Sequence, residues 1–303
     1  MNRYVADPAW HGYIVWYFYL GGIAAGAYAM ASLAALFGTE DDRRATRAAY
    51  YLAFPLVGIC GILLIVDLGR PERFFHMLIQ SNTGMPMFKW FSPMSVGSWG
   101  LSLFGAFSFV SFVGVLAEDS RLGLGRWSDW AAKLGRGRFA KAFQAGGSAA
   151  GFFLGAYTGV LLSATNQPVW ADSTWLAALF TASAASTGIA AILMVRPWLG
   201  DVAGEDSVDR LEHLDRIAIF LELGMLAALA TSLGRSARLA FLPWPGVLVP
   251  AFVIPVGLVL PLILHKMLGH RATALAASFV LLGGFLLRFA VVGMPGPLRI
   301  AAP

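Results

Sequence analysis

Residues Asp67–Ser95 read DLGRPERFFHMLIQSNTGMPMFKWFSPMS. The stretch stands between two long apolar runs, Tyr50–Val66 and Met94–Leu116, yet carries Asp67, Arg70, Glu72, Arg73, His76 and Lys89. An aspartate closes the preceding run, and Gly69-Arg70-Pro71 stops any helix that would continue through it. Arg73, Phe74, Phe75 and His76 then predict a second, amphipathic turn lying along a surface. A plain connector between two helices needs none of this, so the segment reads as the wall of a site.

Composition says what surrounds it. Hydrophobic residues make up 58% of the 303 and charged residues 13%, against roughly 25% charged in soluble domains. Apolar runs recur at the length of about 20 residues that crosses a hydrocarbon layer. The expected fold class is therefore an all-α integral membrane protein. The net charge of +5 follows from where the basic residues fall and implies no nucleic acid; membrane lipid is the expected surrounding partner. The single cysteine, Cys60, lies inside an apolar run and supports no disulfide, iron–sulfur cluster or zinc site. No metal site is expected. The segment MNRYVADPAWHGY lacks a basic leader region, so the first apolar run is expected to be an uncleaved helix.

Eight transmembrane helices are expected, at about Tyr13–Phe37, Tyr50–Val66, Met94–Leu116, Ala142–Ser163, Trp175–Val195, Leu214–Leu233, Gly246–Met267 and Ala272–Val292. The first, third, fifth and seventh connections hold fourteen of the 22 lysines and arginines, including the basic run AEDSRLGLGRWSDWAAKLGRGRFAK. That excess belongs on the cytoplasmic side. Both termini and the Asp67–Ser95 loop are then periplasmic, and the protein is a multi-pass component of a bacterial cytoplasmic (inner) membrane.

At a rise of about 1.5 Å per residue, four spans deliver polar groups to one outer slab: Tyr17 and Tyr19, Asp67, Tyr157 with Thr158, and Arg288. An acid beside an apolar helix end costs energy unless it is solvated, paired or protonated. Asp67 has two readings. It is an ordinary ion pair with Arg70 or Arg73, or it is a base that takes the proton of a quinol hydroxyl as electrons leave. Tyr157 and Tyr17 are candidates for hydrogen bonds to a quinone carbonyl, the alternative being interfacial aromatic anchors. His76 is a candidate proton acceptor at the mouth, or a solvated surface residue. None of His11, His76, His213, His265 and His270 lies centrally in an apolar run, which argues against haem. Glu222 stands about 12 Å into the sixth span, where a lone charge is costly. With Arg288 it forms a candidate proton path. The steps Gly22/Gly26 and Gly151/Gly155/Gly159 read as helix-packing positions.

DLGRPERFFHML followed by SPMSVGSWG, with WHGYIVWYFYLGGIAAGAY before, GAYTGVLLSATNQPVW after and LLRFAVVG late in the chain, resembles the NrfD/PsrC family. These are the integral membrane subunits of polysulfide reductase-like respiratory complexes. The resemblance covers most of the chain and is strongest through the first four spans. It implies two four-helix bundles, here residues 1–170 with the quinone site and 171–303, and no haem or iron–sulfur cluster in this chain. It also implies an exchangeable quinone, menaquinone or ubiquinone. The implied partners are a periplasmic ferredoxin-like iron–sulfur subunit and a molybdopterin catalytic subunit or multihaem cytochrome. Carried over by residue, the motif acid is Asp67, its arginine Arg70 and the fourth-helix tyrosine Tyr157. A first-helix position that is histidine in some relatives falls at Tyr17.

Two functions follow from these readings. One is a quinone- or quinol-reactive membrane anchor of a respiratory oxidoreductase, with Asp67 as its proton-accepting catalytic residue. The other is a proton-conducting or secondary transport protein, favoured by Glu222 and by Pro250, Pro255 and Pro261 in the seventh span.

Overall fold

The computed structural model describes residue 10 and residues 12–37, 40–118, 137–199, 205–234 and 236–295. The basic connection at 119–136, His11, the N-terminal segment read as lacking a leader, and the C-terminal tail lie outside the described residues. Among the described residues every regular element is helical, apart from one isolated bridge between Ile79 and Pro86.

Five long helices come first: α1 (Gly12–Phe37), α2 (Glu40–Asp67), α3 (Pro93–Glu118), α4 (Gly137–Ser163) and α5 (Leu176–Val195). Then come α6 (Glu205–Leu233), the short α7 (Ser236–Phe241), α8 (Leu260–Leu268) and α9 (Thr273–Gly293). Seven stretches among the described residues are long and apolar enough to span a membrane, and the chain is a multi-pass membrane protein. The last stretch, Val249–Gly293, is 45 residues long, about 68 Å if it were straight. It is not straight. Its first part, Val249–Val259, is π-helical and runs into α8, where the Leu260 amide bonds to the Pro255 carbonyl. Pro255 and Pro261 have no amide hydrogen to give, so the coil widens there. At Gly269, with φ +52°, the backbone turns through Gly269–Ala272 and returns as α9. Gly257 and Gly283 meet across this hairpin, where a methyl on Gly257 would stand 2.6 Å from the Gly283 Cα.

Between lipid-like surroundings and an apolar helix there is little to gain by burial, so close packing of small residues sets which helices meet. α1 lies at the centre because Gly21, Gly22, Ala24, Ala25, Gly26 and Ala27 make it thin. The Gly26 face has no room for a side chain against the Ala184 carbonyl of α5, and Gly188 is equally tight against the Gly26–Ala27 backbone. The α4 glycines continue the seam. A methyl on Gly151 would come within 2.9 Å of the Ala25 carbonyl, and one on Gly159 within 2.5 Å of the Leu176 carbonyl. The glycine steps therefore join α1 and α4 to each other and also to α5. One apolar cluster lies wholly within α1–α4, around Tyr28, Tyr50, Phe104 and Leu154. A larger one runs from Phe18 and Trp170 through α5, α6 and α9.

Candidate functional site

The α2–α3 connection is a folded unit. Pro71 opens a 3₁₀ helix, Pro71–Met77, whose Phe74 and Phe75 point outward, as the amphipathic reading expects. Proline suits that first position because its missing amide hydrogen would have no partner there. The backbone then doubles back at Gly84 (φ +67°), with the Gln80 amide donating to the Met85 carbonyl and the Met87 amide to the Leu78 carbonyl, both at 2.8 Å. Trp99 Nε1 of α3 donates to the Met87 carbonyl at 2.9 Å, and the Lys89 amide donates to Ser95 Oγ at 3.0 Å. These bonds clamp the connection onto the N-terminal turn of α3.

A cavity of about 270 Å³ opens beside that turn. Trp90, Phe91 and Pro93 wall it from the connection, Val96 from α3, and Phe153, Ala156, Tyr157 and Val160 from α4. Trp90, Phe91, Phe153 and Val160 are exposed, so the cavity faces the outside of the helix bundle, where lipid chains lie in a membrane. Tyr157 is buried, stacks on Phe153 and donates its hydroxyl hydrogen to the Pro93 carbonyl at 2.6 Å. Glycine at position 97 makes room for it, because a methyl there would sit inside the phenol. The hydroxyl's one hydrogen being committed, what Tyr157 offers a ligand is acceptor capacity. The sequence reading, a hydrogen bond to a quinone carbonyl, needs that hydroxyl to let go of Pro93; a quinol hydroxyl can donate to it as it stands.

Tyr17 is buried between α1 and α2, with its carbonyl accepting the Cys60 thiol at 3.7 Å, and its phenol interacts electrostatically with that of Tyr157. It does not lie at the surface, as an interfacial anchor does. Asp67 ends α2, two turns beyond Cys60. One of its carboxylate oxygens, Oδ1, is buried with no hydrogen-bond partner among the described residues. Neither Arg70 nor Arg73 pairs with it among the described residues; both are exposed. The 3₁₀ helix that follows brings the Met77 sulfur to 4.0 Å from Ser98 Oγ, whose hydrogen goes to the Met94 carbonyl at 2.9 Å, next to Gly97 under Tyr157. His76 is half-buried and packs on Phe75 with ring centres 4.2 Å apart. Tyr17 and Tyr157 thus lie within electrostatic reach of each other, while Tyr17, Asp67, Arg70 and His76 are not among the residues that line the cavity, the last three belonging to the start of the connection whose far end supplies Trp90, Phe91 and Pro93. Trp90, Phe91, Pro93 and Phe153 complete the lining; their apolar character, common to every span, does not mark them in the sequence.

Arg288 is only 1% exposed. Its Nε donates to the Phe18 carbonyl at 3.0 Å, and its Nη1 to Ser183 Oγ at 3.0 Å and the Gly284 carbonyl at 2.9 Å. Its guanidinium lies over the rings of Tyr19 and Phe180 at 5.9 and 5.6 Å, and fills the space that Gly22 leaves open. Glu222 on α6, also 1% exposed, accepts Ser186 Oγ at 2.8 Å and interacts electrostatically with Arg288 and Ser183. The two residues singled out for a proton path thus belong to one buried polar network bridged by two serines of α5. Ser183 and Ser186, which with Thr181 and Thr187 are the hydroxyl residues of an uncharged helix, are the signal in the sequence that such a network passes through α5.

The architecture and the cavity define a multi-pass helical membrane protein with an apolar, lipid-facing recess at the start of α3. The protein belongs to the NrfD family, since the family model described as "Polysulphide reductase, NrfD" matches residues 3–301. It is 28% identical to the C-lettered component of the polysulfide reductase of Wolinella succinogenes, over 93% of each sequence. It is 31% identical to a protein NrfD homolog of Haemophilus influenzae over 49% of its own length and 50% of the relative's. The C-lettered component of the selenate reductase of Mesobacillus selenatarsenatis is 26% identical over 34% of the present sequence, and the match spans only 22% of that relative.

Proposed function

We propose that the protein is the quinone-reactive membrane anchor of a bacterial respiratory oxidoreductase, exchanging electrons between the membrane quinone pool and a periplasmic iron–sulfur subunit. Two relatives are named as lettered components of a polysulfide reductase and of a selenate reductase, which supports membership of a multi-subunit reductase. A molybdopterin catalytic subunit or a multihaem cytochrome would complete the assembly. The observation that carries the reading is an apolar, outward-facing cavity lined by Tyr157; the orphan carboxylate oxygen of Asp67, at the other end of the connection that supplies Trp90, Phe91 and Pro93, is the base assigned to it. The lining suits a quinol ring: flat aromatic walls and one hydroxyl acceptor. Oxidation of a quinol sends two electrons to the partner and releases two protons. Asp67 accepts one of these, His76 lies where it can relay to water, and Arg70 lends positive charge to the same connection. Tyr17 acts on the site through its electrostatic interaction with Tyr157.

The Val249–Gly293 hairpin counts as two crossings, giving eight in all. An even number places both termini on one side, and the distribution of lysine and arginine makes that side the periplasm of an inner membrane. The division into bundles at 1–170 and 171–303 draws on the cluster confined to α1–α4.

Irradiation of the purified complex with an azido-quinone tests the reading. Label is expected on peptides spanning Trp90–Val96 and Phe153–Val160, displaced by excess quinol. Label confined to other spans would refute it. A second reading, proton conduction or secondary transport, is favoured by the Glu222–Ser186 and Ser183–Arg288 contacts. Proton flux into liposomes holding this protein alone, abolished in Glu222→Gln, would support that reading instead.

A further inference from the structure

At the opposite end of the helices, the start of α6 meets the turn between α8 and α9. Asp209 and Glu212 lie one turn apart on α6, and His270 sits in the Gly269–Ala272 turn. One ligand atom from each of the three falls within 4.8 Å of the others. His270 Nε2 is 3.2 Å from Asp209 Oδ1, and His270 Nδ1 is 3.5 Å from Glu212 Oε1. His265 approaches from α8, with Nδ1 3.6 Å from Glu212 Oε2. Its side chain is 3% exposed, and neither ring nitrogen has a hydrogen-bond partner among the described residues. Thr273, the first residue of α9, donates its hydroxyl to Glu212 Oε1.

Separations of 3.5 and 3.6 Å are too long for charge-assisted hydrogen bonds, which close to about 2.7–2.9 Å. An ion takes one nitrogen of His270, and the 3.2 Å between its Nε2 and Asp209 Oδ1 matches the edge of a coordination tetrahedron. Two ligands held about 2.0–2.1 Å from a zinc ion stand about 3.3 Å apart. The buried His265 imidazole, with neither nitrogen hydrogen-bonded among the described residues, stands against the same Glu212 carboxylate from the buried side. We propose that Asp209, Glu212 and His270 form a binding site for one divalent transition-metal ion of the zinc type, with Thr273 orienting Glu212 and water completing the coordination. An imidazole among the ligands suits zinc better than magnesium or calcium, which take oxygen ligands. Asp209 and the His270 ring are 64% and 45% exposed on their side chains, leaving a path for the ion from water, while His265 and Glu212 close the inner side. The ion ties α6 to the hairpin turn, so its role is to fix the last two helices against the rest. The sequence reading, which expects no metal, weighs the single cysteine and the depth of the histidines as haem ligands, and does not see this site because its ligands come from two segments joined by the fold.

The test uses the full-length protein purified in detergent through a tag without histidine, stripped with a chelator and re-exposed to Zn²⁺ or Co²⁺. One Zn²⁺ per molecule is expected to survive desalting, and Co²⁺ is expected to give the intense visible absorption of a tetrahedral ion. Asp209→Asn and His270→Gln should lose both signals with helical circular dichroism unchanged. His213→Gln, an exposed histidine on the same helix, should keep them. Stoichiometric binding absent from the native protein, retained in Asp209→Asn and His270→Gln, or lost in His213→Gln would overturn the site.

Discussion

Tyr157 on α4 gives its only hydroxyl hydrogen to the Pro93 carbonyl at 2.6 Å, 64 residues away at the first turn of α3. The bond holds the aromatic wall of the cavity to the connection that carries Asp67, and it leaves the Tyr157 oxygen as an acceptor. Tyr157→Phe removes a bond worth about 1 kcal/mol without emptying the wall. The variant is expected to assemble normally and to lose quinol affinity about fivefold, read as a raised KM in steady-state quinol oxidation.

Gly97→Leu asks whether the cavity needs Tyr157 in place. The new side chain would occupy the phenol's position and push the ring into the recess. Overpacking of this sort costs about 1–3 kcal/mol, so the protein should still be recovered from membranes. Labelling of Phe153–Val160 by an azido-quinone should fall at least tenfold.

Arg288 and Glu222 are buried charges tied to one network through α5. Removing one partner of such a pair costs about 3–5 kcal/mol because the other is left uncompensated. Arg288→Met should therefore lower the thermal unfolding midpoint in detergent sharply. Adding Glu222→Gln should restore part of the loss, and a double-mutant cycle measures the coupling.

Gly26→Leu places a side chain where the Ala184 backbone already stands. Backbone cannot yield as a flexible side chain does, so α1 and α5 must separate. The expected outcome is loss of folded protein, seen as aggregation in fluorescence-detected size-exclusion chromatography, while Gly58→Leu, where nothing lies near, is tolerated.

Much of this architecture is legible in the sequence, because an apolar run of some 20 residues has few physical solutions in a membrane beyond a helix. Pro255 and Pro261 announce an irregular seventh span, though not that it widens into a π-helix. Asp67, Tyr157, Tyr17 and Arg288 stand out by depth, since polar groups are few there. What their side chains touch is another matter. The Pro93 acceptor, the Gly97 clearance and the Phe18 carbonyl under Arg288 arise where helices cross, and a backbone carbonyl carries no mark in a sequence. The glycine steps on α4 announce close packing, but their partner in α5 depends on how α1 threads between them.

In the proposed reaction Asp67 takes the proton of a quinol bound beside Tyr157. Asp67→Asn keeps the shape and removes the base. The most direct measurement is quinol oxidation by the purified complex carrying Asp67→Asn, with subunit content verified by gel. The account predicts turnover reduced about 10²-fold or more, the lower range for loss of a general base, with all subunits present. Turnover equal to that of the native complex would contradict it.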